Sequence, residues 1–308
     1  MTEMRHRPLG RSELMVSVVG LGCNNFGSRI DTEAARAVVD AAIDAGVTLF
    51  DTADVYGNRG GSETILGELL AGRRDEVVLA MKFGHPMDDG TDARGSRSYI
   101  RRAVEASLRR LRTDRIDLYQ YHRPDGVTPI EETLEALSEL VSEGKVREIG
   151  SSNLAAWQVA DAEWTSRTRG LARFISAQNE YSLLDRGVEA ELVPACEQFG
   201  IGVLPYFPLA SGLLTGKYRR GEPAPAGTRL ASRSQALADA DFDRIEALES
   251  FASQAGRSLL EVAVGGLAAR PAVSSVIAGA TTAEQVRANV AAGSWVPSED
   301  EAEQLGRL

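Results

Sequence analysis

The chain has 308 residues, of which 43% are hydrophobic and 25% charged, and its formal net charge is -10 at pH 7. This balance is typical of a globular protein and excludes a disordered chain. The negative charge disfavours nucleic acid and anionic membranes as partners. No apolar stretch approaches the roughly 18 residues of a membrane span, and the N-terminus lacks the apolar core of a signal peptide, so we expect a cytoplasmic protein.

Eight short apolar runs follow one another along the chain. In order they are VSVVGLG (16–22), VTLFD (47–51), VVLAMK (77–82), IDLYQYH (116–122), KVREIGSS (145–152), FISAQNE (174–180), IGVLPY (201–206) and SSVIAGA (274–280). Runs of this length without clean alternation predict parallel strands that are buried on both faces.

The segments between these runs repeat apolar residues three and four positions apart, and most of them end in glycine, which predicts helices. They include DTEAARAVVDAAIDAG, SETILGELLAG, SYIRRAVEASLRRLR, PIEETLEALSELVSEG, NLAAWQVADAEWTSR and GVEAELVPACEQFG. Eight such units, without a linker that splits the chain, favour a closed barrel over an open doubly wound sheet. We predict an α/β fold, a (β/α)8 TIM barrel formed as a single domain by residues 1–308. An N-terminal β-hairpin and extra helices around residues 240–270 are expected in addition.

Polar residues stand where the predicted strands end. Asp51 ends the second strand, Lys82 the third and His122 the fourth. The C-terminal ends of barrel strands meet at one rim, where barrel active sites form. Because stripping an ion of water costs several kcal/mol, Asp51 and Lys82 are predicted to be ion-pair partners.

Tyr56 follows Asp51 closely and precedes a glycine-rich loop. A phenol has a pKa of about 10, which a nearby ammonium lowers. We interpret Tyr56 as a general acid, Lys82 as the group that lowers its pKa, and Asp51 as the carboxylate that holds Lys82. His122 adds a second hydrogen-bonding group at the same rim.

This set of residues can protonate a carbonyl oxygen but contains no activated nucleophile. The three histidines and two cysteines lack the spacing of metal ligands, so no metal site is expected. Carbonyl reduction fits the set, and since no side chain supplies a hydride, a nicotinamide cofactor is implied.

The motifs of the chain resemble those of the aldo-keto reductases over essentially its whole length. They are GLGCNNFG, LFDTADVYGNRGGSE, AMKFG, DLYQYHRPD, REIGSSN, AQNEYSLLDR, LPYFPLASGLLTGKY and VIAGATTAEQVRAN. The chain resembles a bacterial member of this family, closer to the branch of the potassium-channel β subunits than to the mammalian aldose reductases. By this resemblance Asp51, Tyr56, Lys82 and His122 match the catalytic tetrad.

The resemblance also implies a set of cofactor-binding residues. Ser152, Asn153 and Gln178 match contacts to the nicotinamide carboxamide, and Tyr206 matches the residue that stacks on its ring. The other positions, in the first loop, over the pyrophosphate and at the adenosine end, are Gly22, Cys23, Pro208, Leu209, Ser211, Gly212, Lys217, Arg229, Gly279, Thr281, Gln285 and Asn289. NADP(H) is the expected cofactor. NAD(H) stays open, because many members place Arg or Lys where this chain has Gly279 and Thr281.

Substrate contacts are less defined by the resemblance. Asn24 and Asn25 form either a polar wall of the substrate pocket or a turn held by asparagine side chains. Arg123 lines the mouth or belongs to a solvated loop. The expected function is NADP(H)-dependent reduction of aldehydes or ketones to alcohols with Tyr56 as general acid. The alternatives are a regulatory nicotinamide-binding subunit with little turnover and an alcohol or polyol dehydrogenase working in the oxidative direction. The expected partner is a small carbonyl or alcohol substrate, and homo-oligomers are left open.

Overall fold

The computed structural model describes residues 4–87, 90–231 and 233–308. The described chain opens with an antiparallel hairpin in which β1 (His6–Pro8) pairs with β2 (Met15–Ser17). Leu9 and Leu14 of this hairpin are buried in one cluster with side chains from the barrel interior. At Gly10, with φ +55, a Cβ would lie 2.3 Å from the carbonyl oxygen of Ile175, near the beginning of a barrel strand. The predicted hairpin is therefore confirmed, and it covers the end of the barrel where the strands begin.

Eight parallel strands form the barrel. They are β3 (Val19–Gly22), β4 (Leu49–Asp51), β5 (Val78–Phe83), β6 (Ile116–Tyr121), β7 (Val146–Ser152), β8 (Phe174–Gln178), β9 (Gly202–Val203) and β10 (Val276–Gly279). They are ordered β10-β3-β4-β5-β6-β7-β8-β9. Backbone hydrogen bonds from Ser274 to Val203 (2.9 Å) and from Ile277 to Pro205 (3.0 Å) join the two edges. The predicted (β/α)8 barrel is confirmed.

Helices alternate with the strands and follow the last of them. They are α1 (Thr32–Asp44), α2 (Tyr56–Leu69), α3 (Arg97–Leu111), α4 (Ile130–Ser142), α5 (Ala156–Arg169), α6 (Leu192–Phe199), α7 (Ser234–Ala238), α8 (Phe242–Gln254), α9 (Leu259–Ala268), α10 (Ala283–Gly293) and α11 (Glu299–Arg307). Helices α8 and α9 are the extra helices expected around 240–270. Ser258 caps α9 in a capping box with Glu261. Within the described ranges, no helix has the length and apolar character needed to cross a membrane.

Several predicted strands are shorter in the structure, and two of them for a clear local reason. The run 16–22 is divided, because the chain leaves the hairpin after Ser17 and enters the barrel at Val19. The run 201–206 contributes only Gly202–Val203 as a strand. Pro205 has no N–H to donate, so it interrupts the ladder, and Tyr206 pairs with Glu180 beyond it as an isolated bridge.

Candidate active site

The barrel interior changes from apolar to polar within two residues along three neighbouring strands. Leu49, Ala80 and Leu118 are buried together in the interior cluster. Side chains two positions further along a strand point to the same face. The residues at those positions are Asp51, Lys82 and Gln120, all at most 3% exposed. The polar layer therefore lies above the apolar one, at the end of the barrel where the strands terminate.

The predicted ion pair between Asp51 and Lys82 is present and buried. Lys82 Nζ donates to Asp51 Oδ2 at 2.6 Å, and the two side chains are 1% and 4% exposed. Burial favours the neutral amine, but the Asp51 carboxylate and the Tyr56 phenol outweigh it and hold the pKa of Lys82 above its usual value. Lys82 is therefore an ammonium at neutral pH.

The other oxygen of Asp51 receives two amide groups. Gln178 Nε2 donates to Asp51 Oδ1 at 2.9 Å, and Gln120 Nε2 donates to the same atom at 3.3 Å. Gln178 Nε2 also donates to Gln120 Oε1 at 3.1 Å. With Lys82, three donors surround this carboxylate and satisfy its hydrogen-bonding capacity in the interior.

Tyr56 begins α2, directly after a loop that is anchored to β5. The backbone N–H of Asp54 donates to the carbonyl of Lys82 (3.1 Å), and that of Tyr56 to the carbonyl of Ala53 (3.1 Å). Lys82 Nζ lies 5.0 Å from the centroid of the Tyr56 ring. The short loop thus brings the phenol over the ammonium.

The electrostatics of Tyr56 combine opposing effects. Burial raises the pKa of Tyr56 above its usual value, and the Lys82 charge and a hydrogen bond from Lys82 act to lower it. Lys82 has the predicted effect on the phenol, but burial exceeds it. Tyr56 is therefore protonated at neutral pH, which is the form that a proton donor requires.

His122 completes the predicted tetrad on the neighbouring strand end. Its ring meets the Tyr56 ring edge-on, with centroids 5.9 Å apart. Burial, and then the charge of Lys82, lower the pKa of His122 well below its usual value. His122 is therefore neutral at physiological pH, and its Nδ1 has no hydrogen-bond partner among the described residues.

The residues assigned to the nicotinamide form one network across three strand ends. Tyr206 Oη donates to Asn153 Oδ1 (2.8 Å), and Asn153 Nδ2 donates to Ser152 Oγ (3.1 Å) and to the carbonyl of His122 (3.0 Å). Ser152 Oγ donates to the Gln178 carbonyl at 2.8 Å. These side chains are thereby held at the same rim as the tetrad.

A cavity of about 520 Å³ opens beside this network. Its lining residues are Arg123, Asn153, Asn179, Glu180, Asp185, Gly187, Val188 and Tyr206. Arg123 is exposed, and Asn179 Oδ1 is buried without a hydrogen-bond partner in the described part of the chain. Arg123 thus lines this cavity with an exposed side chain, and its contact with substrate stays a prediction.

The first loop of the barrel joins the site to the segment after β9. Cys23 is fully buried, and its backbone N–H donates to the Asp51 carbonyl at 2.8 Å. Asn25 donates to the Ala280 carbonyl at 3.2 Å and accepts from Arg229 Nη2 at 3.5 Å. The amide of Asn25 is therefore engaged with protein groups beside the expected phosphate sites, and Asn24 lies half-buried next to it.

The segment expected over the pyrophosphate has an unusual backbone. Ala210, Ser211 and Gly212 have φ values of 45, 59 and 97. A Cβ at Gly212 would lie 3.0 Å from Lys217 Nζ, so this ammonium sits against the turn. The N–H groups of Ala210 and Gly212 donate to the carbonyls of Phe207 and Leu209, both at 2.8 Å, so the Lys217 ammonium is the group of this turn that is suited to an anion. Pro208 and Leu209 lead into the turn.

The adenosine-end residues lie where β10 meets α10. The backbone N–H and hydroxyl of Thr281 donate to Gln285 Oε1 at 2.8 and 3.2 Å. Gly279, the last residue of β10, is exposed, whereas Asn289 is 6% exposed. The fold brings Gly279, Thr281 and Gln285 together at the beginning of α10, whose N–H groups and dipole favour an anion.

Sequence reasoning missed Gln120, which lies at the centre of the Asp51 network. Leu118, Gln120 and His122 alternate along one segment, so a period of two would have placed all three on the same face. It missed the buried carboxyl of Asp54 as well. Among the described residues, no group of three or more His, Cys, Asp or Glu is arranged to hold a metal.

Asp54 and Glu63 form a buried acidic pair behind the site, exposed by 2% and 0%. Arg110 Nε donates to Glu63 Oε2 at 2.7 Å. Asp54 Oδ1 and Glu63 Oε1 have no hydrogen-bond partner within the part of the chain that the structure describes. Burial, and secondly the charge of Glu63, raise the pKa of Asp54 from 3.8 to about 7.

Asp54→Asn should therefore stabilise the protein more at alkaline than at acidic pH. Below the unfolded-state pKa of about 3.9, both the folded and the unfolded states bind the Asp54 proton, and the stability that it contributes is complete. As pH rises from there through about 7, the unfolded state has released the proton while the folded state still holds it, so this contribution to the unfolding free energy is progressively lost. The advantage of the variant in unfolding free energy should grow by roughly 2–3 kcal/mol between pH 5 and pH 8. Denaturant unfolding at both pH values measures this difference. The exposed Asp161→Asn is the control, and an advantage that does not change with pH would contradict the interpretation.

The sequence of the chain is similar to those of several known proteins along most of its length. The model described as "Aldo/keto reductase family" matches residues 18–308. The chain is 39% identical over 300 residues to the Bacillus subtilis (strain 168) protein named Uncharacterized oxidoreductase YrpG, covering 94% of this chain and 91% of that protein. It is 37% identical over 305 residues to a probable voltage-gated potassium channel subunit beta of Oryza sativa subsp. japonica, covering 96% and 92%. It is 34% identical over 304 residues to L-glyceraldehyde 3-phosphate reductase of Escherichia coli (strain K12), covering 94% and 88%.

Proposed function

Because the chain belongs to the aldo/keto reductase family and is an oxidoreductase of that family, we propose that it reduces aldehyde or ketone carbonyls with NADPH, with Tyr56 as the proton donor. The observation that carries this proposal is the buried Asp51–Lys82 pair beneath a protonated Tyr56. Such a pair costs desolvation free energy and is expected where chemistry needs a fixed charge.

The proton transfer is assigned to groups of the chain itself. Tyr56 gives its phenolic proton to the carbonyl oxygen as that oxygen becomes negative, and the Lys82 ammonium stabilises the phenolate that is left. Asp51 keeps Lys82 charged and in place. Neutral His122 donates a hydrogen bond to the same oxygen when its proton is on Nε2. A bound nicotinamide supplies the hydride that this reaction needs.

The residues present fit a nicotinamide nucleotide. The network of Ser152, Asn153, Gln178 and Tyr206 offers amide, hydroxyl and aromatic groups at the rim of the tetrad. The Lys217 ammonium, which lies against the left-handed turn at residues 210–212, suits a pyrophosphate. Arg229 adds a cation that Asn25 binds on the barrel side.

We expect NADPH to bind about tenfold more tightly than NADH, because the family resemblance assigns the 2′-phosphate to the Thr281 hydroxyl at the N-terminus of α10, where helix N–H groups favour an anion. Thr281→Val should raise the Kd of NADPH about tenfold and leave the Kd of NADH unchanged. Titration of protein fluorescence with each nucleotide measures both constants. Equal affinity of the unaltered protein for both nucleotides would overturn the NADP(H) assignment.

The oxidoreductase proposal is tested by steady-state turnover. Oxidation of NADPH and NADH is followed with 4-nitrobenzaldehyde, ketones and short phosphorylated aldehydes, and the reverse reaction is followed with alcohols and polyols. Multiple turnovers of a carbonyl support the proposal, and faster alcohol oxidation would make the protein a dehydrogenase. Failure to bind either nucleotide would overturn the proposal.

The similarity to a probable channel subunit favours a second candidate, a nicotinamide-binding regulatory subunit with little turnover. A regulatory subunit would use the same nicotinamide-binding residues as the reductase, so the affinity for the nucleotide does not distinguish the two functions. A burst of one equivalent of product followed by a stall would indicate the regulatory role.

A further inference from the structure

We propose that Gln120 is a positioning residue that links the Asp51–Lys82 pair to the cofactor-binding side chain of Gln178. The inference rests on the proposed function and concerns a residue outside the tetrad. Gln120 is fully buried on β6, in register with Lys82 on β5. It donates to Asp51 Oδ1 at 3.3 Å and accepts from Gln178 Nε2 at 3.1 Å.

The chemistry of the three groups determines which way each amide faces. An ionised carboxylate only accepts hydrogen bonds, so both glutamines must turn an NH2 group towards Asp51 Oδ1. Gln178 then uses one N–H on Asp51 and the other on Gln120 Oε1. Both N–H groups of Gln178 are engaged, which leaves its carbonyl oxygen to face a ligand.

This orientation selects the ligand group that Gln178 can bind. A carbonyl oxygen pairs with an N–H donor, which a carboxamide offers and a methyl ketone lacks. Without Gln120, the Gln178 amide would lose one of the two hydrogen bonds that fix its orientation and could offer an N–H to the ligand instead. Gln120 thus sets the preference for a carboxamide through Gln178, without contacting the ligand.

The second hydrogen bond of Gln120 acts on the proton donor. Asp51 shares its charge among Lys82, Gln178 and Gln120, and removal of one donor leaves the carboxylate to bind Lys82 more strongly. Lys82 is then less available to the Tyr56 phenolate. The groups that face Tyr56 are Lys82 from β5, Asp51 from β4, Cys23 from the loop after β3, His122 after β6 and Tyr206 after β9. Of these, Asp51 accepts a hydrogen bond from Gln120 directly, and Lys82 is linked to Gln120 through Asp51.

A purely packing role would not need an amide at this position. Leu118 fills the layer below with an apolar side chain. A buried amide without partners is costly, so an amide is expected at position 120 only where its hydrogen bonds have a function.

Two variants separate the two hydrogen bonds. Gln120→Met removes both, whereas Gln120→Glu keeps an acceptor for Gln178 but loses the donor to Asp51 and adds a negative charge. Leu118→Met is the matched control, because it places the same side chain two positions earlier on the same face of β6. Melting temperatures identify any variant that fails to fold.

The first measurement is binding without substrate, by titration with NADP+ and its 3-acetylpyridine analogue, whose methyl ketone cannot donate. We expect the unaltered protein, Leu118→Met and Gln120→Glu to prefer NADP+ about tenfold, and Gln120→Met to prefer it less than about threefold. An unchanged preference in folded Gln120→Met, or no preference in the unaltered protein, would overturn the inference. Absence of any nucleotide binding would instead overturn the proposed function.

The second measurement is the pH profile of kcat/KM for carbonyl reduction. Both Gln120 variants should shift the alkaline limb to higher pH, by at least about half a unit, and Gln120→Glu should shift it further because of its added charge. Leu118→Met should keep the profile of the unaltered protein. A limb that stays in place in both Gln120 variants would exclude the link to the proton donor.

Discussion

Tyr56→Phe should lower kcat/KM for carbonyl reduction by about 10²–10⁴-fold, the range for loss of a positioned general acid. The substitution removes the phenolic proton and keeps the ring against His122 and above Lys82. Since the residues expected to bind the nicotinamide are elsewhere on the rim, the Kd of NADPH should change less than about threefold. Stopped-flow or steady-state rates with 4-nitrobenzaldehyde, together with nucleotide titration, measure both quantities.

Tyr119→Phe is the matched control for this experiment. Tyr119 lies on β6, is fully buried, and its hydroxyl has no hydrogen-bond partner in the described part of the chain. Removal of an unpaired buried hydroxyl costs little or is favourable, so this variant should keep full activity. Full activity of Tyr56→Phe would remove Tyr56 from the mechanism.

Lys82→Met should both abolish turnover and destabilise the fold. Methionine has a similar length but no charge, so it leaves the Asp51 carboxylate buried without its ammonium. Breaking a buried pair in this way costs about 3–5 kcal/mol, which corresponds to a fall in Tm of roughly 10 °C in a chain of this size. The loss of kcat should be at least about 10²-fold, because the phenolate of Tyr56 also loses its stabilising charge.

A double variant separates stability from chemistry. Asp51→Asn with Lys82→Met removes both charges, and neutral pairs of similar volume are often as stable as the ion pair. We expect the double variant to recover most of the lost Tm while remaining inactive. Recovered activity in the double variant, or unchanged stability in Lys82→Met, would show that the pair does not have the role proposed for it.

Much of the fold could be predicted because its signals are local. Each barrel strand lies within one of the predicted apolar runs, except that β5 extends one residue further to Phe83, and β4 ends at the predicted residue, Asp51. The Asp51–Lys82 pair followed from the same pattern, since neighbouring parallel strands must end side by side. Prediction was less accurate for β9, where Pro205 interrupts the ladder and Tyr206 follows as an isolated bridge to Glu180.

Other features depend on contacts between distant parts of the chain. Gln120 and Asp51 are 69 positions apart, and Asn25 and Arg229 are 204 apart. No local pattern indicates that such residues meet. The raised pKa of Asp54 also depends on the folded structure. It arises first from burial and then from the charge of Glu63, which lies beyond a turn of four left-handed residues.

The linear chain therefore specifies eight strands, their helices and a rim on which Asp51, Tyr56, Lys82 and His122 must gather, because period and strand polarity are properties of neighbouring residues. The closed barrel determines how those groups behave. It buries the Asp51–Lys82 pair, keeps Tyr56 protonated and His122 neutral, and places two glutamine amides on one carboxylate oxygen. Protonation and amide orientation depend on desolvation and on partners from other strands, and these exist only once the chain has folded.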